Sequence, residues 1–153
     1  TQIGTATWVA IVAGESHSLA IRADGALFGW GNNIKGQLGT TNPTFSLTPF
    51  QIGTQTTWAM VAAGSNHSLA IKNDGSLWSW GLNDDGQLGL GNYQLQTIPT
   101  QVGDIKLWKT ISAGQFHSLA VRSDGSLWAW GRNIDGQLGD GKRISSPLPL
   151  QIP

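Results

Sequence analysis

The chain has 153 residues, a formal net charge of zero and only 12% charged residues, so it carries no basic stripe of the kind that nucleic acid or an anionic membrane requires. It has no cysteine, which excludes a disulfide framework and a thiolate metal site but does not fix the compartment. No apolar run reaches spanning length and no signal peptide heads the chain, which starts at Thr1 and reads as a processed or excised segment.

One stretch occurs three times. Ala13 to Gly39, Ala63 to Gly89 and Ala113 to Gly139 share His17, His67 and His117, and Trp30, Trp80 and Trp130, at a period of about 50 residues. A fixed period of that length indicates a solenoid, a propeller or an array. Taken in order, Thr1 to Gly4 opens with a Gln-Ile phrase that returns at Gln51, Gln101 and Gln151, giving four copies for three of everything else. Trp8 to Gly14 is short, partly β-branched and closed by Gly, which predicts a strand. His17 to Ile21 predicts a second. Asp24-Gly25, Asp74-Gly75 and Asp124-Gly125 predict hairpin turns with the Gly at positive φ, and Leu27 to Trp30 predicts the third strand.

Gly31 to Gly39 is too rich in Gly and Asn for regular structure, and Asn33, Gly36, Gln37, Leu38 and Gly39 predict a loop of fixed shape. A loose segment such as Gly91 to Thr97 then ends in Pro49, Pro99 or Pro149, which fits the start or edge of a fourth strand. In Leu77-Trp78-Ser79-Trp80 both Trp share one face. His67, Leu69 and Ile71 share a face in their strand, opposite the small Ser68 and Ala70. Neither face is charged. Large against small suits sheets stacked face to face, as in propeller blades. The fold class is therefore all-β: three four-stranded blades in a single segment, 1–153, with repeats at about 5–53, 54–103 and 104–153.

These residues carry a resemblance. His-Ser-Leu-Ala, then Asp-Gly-Ser-Leu-Trp-x-Trp-Gly-x-Asn, then Gly-Gln-Leu-Gly is similar to the repeat of the regulator-of-chromosome-condensation propeller family, over essentially the whole chain. The resemblance implies four-stranded blades in a ring, usually of seven, whose loop face binds another macromolecule. Family members include a guanine-nucleotide exchange factor, a plant ultraviolet photoreceptor and a bacterial β-lactamase inhibitor. The photoreceptor's Gly-Trp-Arg-His-Thr signature is missing, with Gly29-Trp30-Gly31 where it would be sought, and no insertion resembles the exchange factor's wedge.

The same His at the same place in every repeat reads as scaffold, hydrogen bonded to nearby backbone, because a catalytic group normally occurs once among unlike partners. No metal, cofactor or catalytic set is expected, and the chain reads as a non-enzyme. Asp84-Asp85-Gly86 and Asp24-Gly25 read as turns rather than calcium loops. The repeated Trp read as core, with sugar-stacking platforms as the alternative. Function is expected where the repeats disagree. Phe116, Tyr93, Arg132 and Arg143 are the best anchors, with Lys35, Asp84 and Asp85 in the same variable loops.

Two functions follow from this reading: a protein–protein interaction scaffold or, alternatively, a carbohydrate-binding propeller with one site per blade. Both end repeats keep the apolar pattern, at Trp8, Leu27, Phe28 and Trp30 and at Leu127, Trp128 and Trp130, where open arrays place polar caps. The first partner expected is therefore a second copy, in a six-bladed homodimer, and the surplus Gln-Ile phrase at Thr1 to Gly4 or Leu150 to Pro153 becomes redundant. Another protein is a further possible partner; nucleic acid and membrane are not expected.

Overall fold

The computed structural model describes residues 4–153. Among these there are twelve strands and no helix. The first sheet holds β1 (Trp8–Ala13), β2 (His17–Arg22), β3 (Leu27–Asn32) and β4 (Phe45–Gln51). The second holds β5 (Trp58–Ala63), β6 (His67–Lys72), β7 (Leu77–Gly81) and β8 (Gln96–Gln101). The third holds β9 (Trp108–Ala113), β10 (His117–Arg122), β11 (Leu127–Gly131) and β12 (Ser146–Ile152). Each sheet is an antiparallel meander in chain order. Three such sheets packed face on face are three blades of a propeller arc.

The Asp-Gly turns form as predicted, with Gly25, Gly75 and Gly125 at φ of 83°, 78° and 87°. Asp24, Asp74 and Asp124 each accept the backbone N–H two residues on, so these carboxylates close their own turns. The fourth strand differs from the expectation. It starts upstream of the proline, inside the segment read as loose, and Pro49, Pro99 and Pro149 lie within β4, β8 and β12. These are outer edge strands, and the register skips beside each proline, so its missing N–H leaves no gap in the ladder. Because β12 is the outer strand of the third blade, Leu150 to Pro153 is not the surplus Gln-Ile phrase. The copy at Thr1 to Gly4 is the extra one, and Thr1 to Ile3 lie outside the described residues.

Alternation puts the core between the blades. Leu19, Ile21, Leu27 and Ile52 of the first blade pack on Trp58, Val61, Ala70 and Trp80 of the second. Leu69, Ile71, Leu77 and Val102 of the second blade pack in the same way on Trp108, Ile111, Ala120 and Trp130 of the third. A bulky aliphatic face thus meets a face that is small except for two Trp, as the sequence pattern predicts. Trp80 and Trp130 are fully buried. At about 25 cal/mol per Å² of apolar area, each such ring contributes several kcal/mol to the joint it fills.

Candidate functional site

Two surfaces carry chemistry: the joints between blades and the face that gathers the variable loops. At the first joint, His17 Nε2 lies 2.9 Å from Ser68 Oγ, and Ser68 donates to the Gln37 carbonyl at 2.8 Å. Trp80 Nε1 donates to the same carbonyl at 2.9 Å. The second joint repeats this with His67, Ser118, Gln87 and Trp130 at 3.0, 2.8 and 2.9 Å. Ser68 and Trp80 are cross-strand neighbours, as are Ser118 and Trp130, which is why one carbonyl collects both donors.

The serine has one hydrogen and gives it to the carbonyl, so the histidine must donate through Nε2–H. Its Nδ1 is then bare, and in His17 and His67 it is buried without a partner. Burial holds His17 down at about 4. It holds His67 at about 3, helped by repulsion from His17 and His117, so both rings are neutral. Gly14, Gly64 and Gly114 lie over these rings, where any Cβ would collide with the imidazole. The partner of His17 and His67 is thus a hydroxyl of the next repeat, and not the nearby backbone expected from the sequence.

The Gly-Gln-Leu-Gly loop owes its shape to one buried side chain. Asn33 Nδ2 donates to the carbonyls of Thr40 and Pro43 at 2.8 Å, and its Oδ1 accepts Leu38 N–H at 2.9 Å. Asn83 and Asn133 do the same in their blades. This fixes where Gln37 and Gln87 present their carbonyls to the joint.

The chain direction puts the β1–β2 turn and the β3–β4 loop of every blade on one end of the arc. Phe116, Tyr93, Arg132, Arg143, Lys35, Asp84 and Asp85 all fall in such connections, so the fold places them on one loop face. Two of them meet: the Arg132 guanidinium lies 5.2 Å from the centre of the Phe116 ring. Tyr93 is exposed, and the Asp85 N–H is taken by Gln87 Oε1. The three β1–β2-type turns line a hollow of about 230 Å³ on this face, where Ser65 donates to Glu15 at 2.5 Å.

One repeat difference has a polar consequence. At the first joint Gln37 Nε2 donates to Asn66 Oδ1 at 3.2 Å. Asn32 Oδ1 is a second acceptor at 3.4 Å. At the second joint Phe116 and Leu82 stand in the places of Asn66 and Asn32, and Gln87 Nε2 is buried with no partner. An unmet buried donor costs about 1–3 kcal/mol. The sequence marked Phe116 as variable. It gave no sign that the change strands Gln87, because those residues are 29 positions apart and meet only across the joint.

Away from the loop face, cations stack on the outer Trp. Lys72 Nζ lies 3.4 Å from the Trp78 ring centre and 4.8 Å from that of Trp58, and Arg122 stands likewise over Trp128 and Trp108. A one-residue bulge at Ala59 and at Lys109 creates this pairing, by placing Trp58 opposite Lys72 and Trp108 opposite Arg122. Trp78 and Trp128 are half-buried, while Trp58 and Trp108 are core.

Three stacked four-stranded meanders, joined by a repeated polar relay, define a β-propeller segment. The regulator of chromosome condensation (RCC1) repeat matches residues 24–71, 74–121 and 124–153, and a second description of the same repeat matches 8–37 and 108–137. The chain belongs to the RCC1 repeat family. Among curated proteins nothing matches. The structure of human WBSCR16 is similar at 25% identity and TM-score 0.88, over 100% of this chain and 42% of that one. Yeast RCC1 (Prp20) bound to Kap60 is similar at 27% identity and TM-score 0.86, over 95% of this chain and 37% of that one. Saccharomyces cerevisiae Prp20p, described with its binding to Gsp1p and histones, gives 27% identity and TM-score 0.85, over 95% and 38%. The chain thus spans about two fifths of the length of these neighbours.

Proposed function

We propose that this chain is a non-catalytic propeller scaffold that receives another protein on its loop face, centred on Phe116 and Arg132. The observation that carries this reading is the stranded Gln87 Nε2. The fold has a solution to that position, Asn66 with Asn32 beside it, and uses it one repeat earlier. Departing from it for a half-exposed aromatic stacked by Arg132 costs stability, and such local violations concentrate at functional sites. Aromatic and Arg side chains are also the usual anchors of protein interfaces. Yeast Prp20, which shares the repeat, is described with protein partners. Pull-down with parent and Phe116→Asn/Arg132→Ala chains tests the reading: a protein captured by the parent and lost on substitution supports it, and capture indifferent to both residues overturns it.

The same proposal includes self-association. Seven blades, the usual number in the family, cannot be assembled from three-blade units, whereas two chains give six, within the four to eight at which propellers close. Light scattering on dilute protein gives the mass; a stable, well-folded monomer overturns the dimer.

A second reading has its own observation. Two equivalent grooves of about 340 and 320 Å³ lie beside the outer Trp, one lined by Gly39, Ile52, Trp58 and Trp78 and the other by Gly89, Val102, Trp108 and Trp128. A repeated, Trp-edged groove suits a neutral sugar, and a glycan array with one equivalent site per joint tests it.

A further inference from the structure

The two ends of the arc carry the two halves of one joint. On the leading face, Ser18 and Trp30 are half-buried, where Ser68, Ser118, Trp80 and Trp130 are fully buried. Ile11 is 72% exposed, while its counterparts Val61 and Ile111 are 6% and 7% exposed. On the trailing face, His117 and Gln137 are half-buried, where His67 and Gln87 are fully buried. Leu127 is 41% exposed, against 0% for Leu27 and Leu77. Gly125 has open space above it, where Gly75 is packed under the Lys106 carbonyl.

Each of these positions keeps the residue type that works inside the chain. The leading face holds the serine, the indole and the β-branched aliphatic; the trailing face holds the imidazole, the glutamine and the leucine. The leading face of one chain is thus what the trailing face of another needs, by the geometry already present at both internal joints. Two leading faces would bring serine to serine and Trp to Trp, with no imidazole and no glutamine carbonyl between them.

We propose that a second copy of this chain completes the joint head to tail, its Ser18 accepting from His117 Nε2 and donating to the Gln137 carbonyl, which also receives Trp30 Nε1. This rests on the self-association proposed above and adds its polarity and its residues. Two chains joined so have two identical junctions and no open face, a closed two-fold ring in which each junction is heterologous in its residues.

The test uses the 153-residue chain and two variants at positions exposed in the isolated arc, Ile11→Asp on the leading face and Leu127→Asp on the trailing face. The expected masses by light scattering are two chains for the parent and one chain for each variant. An equimolar mixture of the variants should regain the mass of two chains, because it contains one undamaged junction. If only one variant dissociates, or neither does, the head-to-tail joint is overturned while self-association stands. A monomeric parent overturns both. Circular dichroism checks that the variants fold. The ring proton of His117 gives a second readout that needs no variant: in the joint it stays neutral on acidification together with His17 and His67, and a His117 that titrates alone in an associated parent overturns the joint.

Discussion

His67 Nε2 and Ser118 Oγ lie 3.0 Å apart across two blades and 51 residues of chain. The bond is buried, and both atoms belong to a relay that ends on the Gln87 carbonyl. Ser118→Ala removes the acceptor of His67 and one donor to Gln87, leaving a buried N–H unmet. The expected loss is about 1–3 kcal/mol in urea unfolding, with secondary structure retained. His67→Ala should cost at least as much and release no metal. Stoichiometric metal in the purified protein, lost on that substitution, would show that the ring serves a different purpose.

The same relay makes the protein sensitive to acid. His17 and His67 stay neutral in the folded chain down to about 4 and about 3, whereas in the unfolded chain they take a proton near 6.5. Between those values the unfolded state binds more protons, so stability falls as pH falls. Each ring contributes a slope of about 1.4 kcal/mol per pH unit below 6.5. Above 7 neither ring contributes a slope. Burial lowers His117 as well, so urea midpoints from pH 7.5 to 5 should decline, and His67→Gln should remove part of the decline, less than half, even from a less stable starting point. A parent curve flat to pH 5 would mean that the rings protonate without unfolding.

The Asp-Gly turns separate strain from packing. Gly75 and Gly125 have nearly the same φ, so replacing either by Ala meets the same left-handed penalty of about 1 kcal/mol. Only Gly75 also has a neighbour: a Cβ there would stand 2.5 Å from the Lys106 carbonyl, in the linker leading to the third blade. Gly75→Ala should thus lose clearly more than Gly125→Ala when both are measured on the unassembled chain. Equal losses would mean that the linker gives way freely.

How much of this was legible follows from where the partners lie. Alternation in Leu77 to Trp80 and in His67 to Ile71 is local, and it predicted both the strands and the large-on-small packing. Asp-Gly is local chemistry, and it predicted the sign of φ. The His partner was not legible. His67 and Ser68 are adjacent, which invites reading them as a pair, yet neighbours in a strand point to opposite faces. Each therefore bonds into a different joint: Ser68 with His17, and His67 with Ser118. The start of the fourth strand was hidden because a proline in the run reads as a boundary, and only the edge position makes it tolerable.

Phe116 offers the most direct separation of stability from function. In the first joint the carboxamide of Asn66 accepts Gln37 Nε2, and in the second the Phe116 ring offers Gln87 no acceptor. Phe116→Asn restores the missing group on a backbone that has the same place in the repeat. Removing a buried unmet donor returns about 1 kcal/mol or more, against which stands the lost stacking with Arg132, worth about 0.5–1 kcal/mol at a partly exposed site. The expected outcome is a chain at least as stable as the parent, and more stable still when Arg132→Ala has already removed the stack. The converse exchange, Asn66→Phe, leaves Gln37 Nε2 only the longer contact to Asn32 Oδ1 at 3.4 Å and should destabilise by a smaller amount. Thermal melts of these chains decide the matter. If Phe116→Asn is distinctly less stable than the parent in the Arg132→Ala background, the aromatic belongs to the joint's own packing, and the loop-face role assigned to it loses its physical basis.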